Sequence, residues 1–173
     1  VRAFHAGKPV SRVVTRAFAK LDPNPPVVPV GRLAAGLAAT EVRGEFAQLP
    51  DFTTVSPSAL RVAPAIELIA SERGENVAHR FEGLLHVPET DYWRFSLTSD
   101  DGARLWIDGA LVVDLDGLHS EQTRPGGIAL AAGFHRIVVE HFNRTGNTSL
   151  DVRMGKLGAP LAPIAPTALA HER

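Results

Sequence analysis

The sequence predicts an all-β fold, an antiparallel two-sheet sandwich or closed barrel. Apolar residues recur at every second position in several runs, turn residues punctuate those runs at short intervals, and no stretch holds a convincing helical spacing. With 173 residues the chain is long enough for one well-formed core plus appendages.

Residues 1–20 place β-branched and aromatic residues on either side of Ala6-Gly7-Lys8-Pro9, the pattern of a hairpin. Residues 21–35 follow as a linker, because Pro23, Pro25, Pro26 and Pro29 favour extended polyproline conformation. Arg32 to Thr40 is alanine-rich and on propensity alone passes for a short helix, against which stand Gly31 and Gly36. Residues 36–158 form the sandwich. Here Val77, Phe81, Leu85 and Val87 share one strand face, with Ala78, Arg80, Glu82 and His86 on the other. Trp93, Phe95 and Leu97 likewise share a face, which assigns Trp93 to the core. Leu105 and Ile107 lead into Asp108-Gly109, a pair that tolerates the positive φ of a type I′ hairpin, and Leu111 and Val113 lead out. Gly133 opens the strand FHRIVVEHF, and a polar loop over 143–148 closes it before Leu150, Val152 and Met154. Six or seven strands result. Residues 159–173, with Pro160, Pro163 and Pro166 spaced three apart, are expected to form a second Pro-rich linker.

Composition removes several function classes. Lys and Arg total 18 against 19 Asp and Glu, so no basic surplus exists to neutralise a phosphate backbone, and nucleic acid is not an expected partner. No apolar run approaches the roughly 20 residues of a membrane-spanning helix. The absence of cysteine excludes disulfides and thiolate catalysis. The chain opens on Val1 with no signal-peptide pattern and reads as a fragment of a longer protein.

No catalytic constellation emerges, and the chain is not expected to be an enzyme. There is no Gly-x-Ser-x-Gly elbow, phosphate-binding glycine loop or His-Glu-x-x-His helix. Glu140 and His141 are strand neighbours and point to opposite faces. Asp114, Asp116 and His119 lack the downstream glutamate of a calcium loop and read as a hydrogen-bonded turn. His135 and His141 share a strand face without suggesting a zinc site.

The stretch TDYWRFSLTSDDGARLWIDGALVVDLDGLHS, continued by GGIALAAGFHRIVVEHFNRTGNTSLDV, resembles the protective-antigen (PA-fourteen) domain family, bacterial branch. Ser99-Asp100-Asp101-Gly102, Leu105-Trp106-Ile107-Asp108-Gly109, Val112-Val113-Asp114 and Gly133-Phe134-His135 fall in family order. Upstream, Gly36-Leu37 and Leu49-Pro50-Asp51-Phe52 resemble the family's opening. Residues 1–20, through Val1-Arg2-Ala3-Phe4, Gly7-Lys8, Ser11 and Phe18, resemble the last strands of the immunoglobulin-like C-terminal domain of chitobiase-type hexosaminidases.

These resemblances imply a carbohydrate-binding accessory module of a larger secreted glycoside hydrolase, extracellular or periplasmic, whose partners are glycan and the catalytic domain of the same parent chain. In the sugar-binding branch two adjacent aspartates, joined by a cis peptide, hold Ca2+ with a second, later loop. By motif these are Asp100 and Asp101, with Asn143 and the backbone near Thr145 and Asn147 completing the shell. Calcium wants 6 to 8 hard oxygens and leaves exchangeable positions for vicinal hydroxyls. The second loop departs from the yeast adhesin pattern in lacking an aromatic. Trp106, on the opposite parity from Leu105 and Ile107, is the surface aromatic available to a sugar ring. Asp-Asp-Gly is equally an ordinary turn, with an aspartate capping amides and the glycine at positive φ. The alternative function is accordingly a structural spacer with no ligand of its own.

Overall fold

A computed structural model describes residues 1–13, 15 and 20–173. Fourteen strands occur among the described residues: β1 (Phe4–His5), β2 (Lys8–Pro9), β3 (Leu33–Ala35), β4 (Leu37–Arg43), β5 (Ala59–Ala63), β6 (Val77–Val87), β7 (Asp91–Asp100), β8 (Ala103–Ile107), β9 (Ala110–Leu115), β10 (Gln122–Leu130), β11 (Gly133–Asn143), β12 (Ser149–Lys156), β13 (Ala162–Pro163) and β14 (Leu169–Glu172). Two three-residue 3-10 turns, Ala70–Glu72 and Pro166–Ala168, complete the elements. The all-β antiparallel expectation therefore stands.

One sheet runs β10-β7-β12-β13 and the other β3-β14-β6-β11-β8-β9, with β4 also pairing β6 and β5 pairing β4. Strand parity explains the core between them. Phe81, Leu85 and Val87 of β6, Phe95 and Leu97 of β7, Leu105 and Ile107 of β8, and Ile137 and Val139 of β11 all turn inward and are buried. Each such Leu, Ile or Phe contributes about 1.5–3 kcal/mol on leaving water. Pro125 lies in β10, an edge strand that pairs only with β7, where a missing N–H costs the ladder nothing.

The Asp108-Gly109 hairpin forms as its sequence predicts, with φ of 50° and 79°. Asp108 fixes it further: Oδ1 accepts the Arg136 N–H at 2.8 Å and Oδ2 lies 2.7 Å from His135 Nδ1. The N-terminal hairpin turns at Ala6-Gly7, both at positive φ, with Phe4 opposite Pro9. Phe18, the last residue of the chitobiase-type resemblance, falls outside the described residues.

In keeping with the absence of a convincing helix, and against the propensity of its alanines, Arg32 to Thr40 supplies β3 and most of β4, because Leu37 and Ala39 bury against the core from alternate positions while the intervening residues do not. Two expectations are corrected. The strand count exceeds six or seven. Finally, neither proline-rich stretch is a free linker: Ala170 and His171 of β14 pair with Ala35 and Ala34, Leu169 pairs with Leu85 of β6, and Ala162 pairs with Met154. Asn24 and Val27 hydrogen-bond to the β10–β11 corner through Ala129 and Phe134. Ile164 and Leu169, both buried, draw the C-terminal stretch onto the core despite its prolines.

Candidate functional site

β7 ends at Asp100 and β8 begins at Ala103, so the connection Asp101-Gly102 lies at one rim of the sandwich. The Asp100–Asp101 peptide bond is cis. The Asp101 carboxylate is held by backbone amides from two neighbouring loops: Oδ2 accepts the Arg144 N–H at 2.9 Å and Oδ1 the His119 N–H at 3.2 Å. Asp101 is buried and Asp100 half-buried. Burial first, and the adjacent Asp101 carboxylate second, hold the Asp100 carboxyl above the usual carboxylate range.

The later loop reaches the same rim. Asn143 closes β11 fully buried, and its Nδ2 donates to the Gly74 carbonyl at 2.8 Å, which leaves Oδ1 buried with no hydrogen-bond partner. Thr145, Gly146 and Asn147 are exposed. The loop is tied down by the Gly146 N–H on Glu75 Oε1 at 2.9 Å and the Asn76 N–H on the Arg144 carbonyl at 2.9 Å. The structure thus links Asp101 directly to the 143–147 loop. The side-chain donors offered here, the Asp100 and Asp101 carboxylates and the unpartnered Asn143 Oδ1, are hard oxygens, the ligand type calcium takes.

Gly102 corrects a sequence expectation. Its φ is not positive, and what demands glycine is space: an added Cβ would lie 2.5 Å from Phe142 Cε1 and 2.7 Å from the Gly117 nitrogen. The rim connection presses directly on the backbone of the 116–121 loop.

Trp106 is not brought to this rim. It stands half-buried on the outer face of β8, near the Asp108-Gly109 turn at the strand's other end, and lines a cleft of about 310 Å3 with Arg80, Arg136 and Glu140. Trp93 is buried, as its parity predicts. Asp114, Asp116 and His119 form the hydrogen-bonded turn expected of them. Asp114 binds Arg104 at 2.9 Å, Asp116 caps the Leu49 and Gly117 amides, and the His119 ring spans the Ser120 and Leu115 carbonyls. Glu140 pairs with Arg80 on the outer face, away from His141.

A second cluster escaped the sequence reading. Glu41, Glu72 and His79 bring one ligand atom each to within 4.8 Å of one another. Glu41 sits directly across from His79 in the β4–β6 register and His141 directly across on β11. The inward parity of His79 with Val77 and Phe81 was the available signal, since a histidine at a core position needs a partner.

A family model described as PA14 domain matches residues 39–160. The chain belongs to the PA14 domain family. Among solved structures, this PA14 domain is similar to the PA14 domain of the MpAFP antifreeze protein, at 16% identity and a TM-score of 0.69 over 90% of this chain and 96% of that one. It is similar to the PA14 sugar-binding domain of an RTX adhesin, at 14% identity and a TM-score of 0.68 over 79% of this chain and 98% of that one. The Epithelial Adhesin 9 A domain of Candida glabrata, solved with Galβ1-3GlcNAc, follows at 9% identity and a TM-score of 0.65, over 87% and 96% of the two chains. An anti-sigma factor domain-containing protein matches at 20% identity and a TM-score of 0.68 over 79% of this chain, which spans only 48% of its length. Comparison with curated proteins finds no match. At these identities the likeness is one of fold.

Proposed function

We propose that this PA14 domain is a non-catalytic carbohydrate-binding module whose glycan site lies at the Asp100–Asp101 rim and is assisted by calcium. The observation that carries the reading is the pair of adjacent carboxylates, Asp101 fixed by amides of two loops, together with the buried and unpartnered Oδ1 of Asn143 at the end of β11. Asp100, Asp101 and Asn143 supply side-chain oxygens, and the backbone near Thr145 and Asn147 supplies carbonyls. Bound calcium would offer exchangeable positions to vicinal sugar hydroxyls. The two amides on Asp101 occupy only part of its acceptor capacity of about four lone pairs, so they aim the carboxylate without exhausting it. Support also comes from the fold shared with a sugar-binding adhesin domain and a glycan-bound epithelial adhesin.

The same amide contacts favour a second reading, in which Asp101 simply ties the 116–121 and 143–147 loops together and the domain is a spacer. A glycan array separates the two. The proposal expects spots that bind in millimolar calcium and fade in chelator, and that Asp101→Asn leaves blank. An array blank under every condition establishes the spacer.

The parent context belongs to the same proposal. The reading puts the module behind a secreted hexosaminidase-like enzyme, extracellular or periplasmic; its support is the resemblance of residues 1–20 to a chitobiase-type terminal domain, with which the Phe4–Pro9 hairpin agrees. A catalytic barrel encoded upstream is the expected finding, and an unrelated upstream sequence contradicts it.

A further inference from the structure

We propose a second metal site, for a borderline divalent cation of the zinc class, built from Glu41 of β4, Glu72 of the Ala70–Glu72 turn and His79 of β6 in the sandwich interior. It is distinct from the rim, whose ligands belong to β7, β11 and their loops.

His79 is the decisive residue. Its side chain is 2% exposed, yet neither ring nitrogen has a hydrogen-bond partner. Buried imidazoles normally have both nitrogens satisfied, since an unpaired buried polar atom costs about 1–3 kcal/mol. Glu41 Oε2 stands 3.7 Å from Nε2, too far for a hydrogen bond.

The carboxylates retain capacity for the ion. Glu41 Oε1 accepts from Arg43 Nε at 2.8 Å, which leaves Oε2 facing the ring. Glu72 takes Arg61 through Nε at 2.5 Å and Nη2 at 2.8 Å, plus the Ile69 N–H at 3.1 Å, three of roughly four lone-pair positions. An ion with bonds of about 2.0–2.2 Å would hold the three atoms about 3.4 Å apart, so side-chain rotation must close the present spread by about an ångström. Two carboxylates neutralise a divalent cation, and competition from Arg61 makes the site one of modest affinity. The imidazole selects the metal. A mixed nitrogen and oxygen set favours zinc over manganese, and both over magnesium or calcium.

His141 stands behind the site. Its ring stacks on His79 at 5.8 Å between centroids, and its Nε2 donates to the Asp100 carbonyl at 3.1 Å. A carbonyl only accepts, so the proton is on Nε2 and the buried Nδ1 is left bare.

The test is calorimetric titration of zinc into the purified full chain, in buffer already containing millimolar calcium. The inference expects about one tight equivalent, weakened about tenfold or more by His79→Gln and separately by Glu41→Gln, with Asp101→Asn changing it little. Melts in metal-free buffer check that each variant folds, and Glu41→Gln, on a less buried residue, serves if His79→Gln does not. Absence of zinc binding overturns the site, as does binding that survives both variants, which would assign it to surface histidines such as His5. Failure here leaves the rim calcium site untouched, and loss of calcium binding in Asp101→Asn with zinc retained separates the two.

Discussion

Acidification from pH 7 to pH 4 is expected to remove several kcal/mol of folding stability, most of it above the range where ordinary carboxylates titrate. His79 and His141 are both buried, and burial pulls each from 6.5 down to about 4. A histidine whose folded pKa is depressed changes nothing above the unfolded value, where both states are neutral. Between 6.5 and about 4 the unfolded chain takes up protons that the folded chain refuses, so stability falls as pH falls, and below about 4 the loss is complete. Each residue accounts for about 3 kcal/mol at most. The second proton is opposed by the first, because the rings stack at 5.8 Å and each protonated ring would repel the other. Glu140 and Asp100, both raised by burial, act in the opposite sense as they take up protons in the folded state, while Glu72, lowered through Arg61, adds to the loss at the acid end. Against a typical total of about 5–15 kcal/mol the histidine effect is large. Urea midpoints should decline steadily from pH 6.5 to 4.5, with a shallower decline in His79→Gln. A midpoint flat to pH 5 would show that the histidines are solvated or paired.

Gly102→Ala is expected to destabilise the domain by about 3 kcal/mol and to remove calcium binding with it. The new methyl would meet Phe142 Cε1 at 2.5 Å and the Gly117 nitrogen and oxygen at 2.7 and 2.9 Å. Phe142 is fully buried in β11 and the other two atoms are backbone, so none can rotate aside. Overpacking of this kind costs about 1–3 kcal/mol or more. Relief must come from the 116–121 loop or the rim connection, and either movement pulls the Asp101 carboxylate off the His119 amide. A thermal melt measures the first effect and calcium titration the second. Near-wild-type values for both would mean that the contact is loose in solution.

What could be read from the chain depended on how local the information was. The Asp108-Gly109 hairpin is specified by two adjacent residues, and the inward Trp93 and outward Trp106 follow from strand parity. The Asp100–Asp101 motif is contiguous, so its place at the β7–β8 connection was legible, whereas the bond from Asp101 to the Arg144 amide of the later loop was not. By contrast, β14 reaches its partner β3 across most of the chain, with His171 opposite Ala34, and proline spacing gave no hint that Leu169 would be buried. The alanine-rich run is a strand despite its helical propensity, because propensity is weaker than the burial of Leu37 and Ala39 in a sheet. Glu41, Glu72 and His79 lie on three separate segments, and only pairing of β4 with β6 puts two of them face to face. Gly102 shows the same limit, since a steric need imposed by Phe142 and Gly117 has no local mark.

Two neighbouring acidic side chains converging on one ion is the claim beneath the functional reading, and a calcium-dependent thermal melt tests it most directly. At a free calcium concentration 100 times the dissociation constant, binding to the folded state adds about 2.7 kcal/mol. For a chain of this size that raises the midpoint by about 5–10 °C. The account predicts this rise in the wild type and its loss in Asp101→Asn, whose single substitution removes one ligand charge. A midpoint that stays fixed in the wild type as calcium climbs into the millimolar range would contradict it.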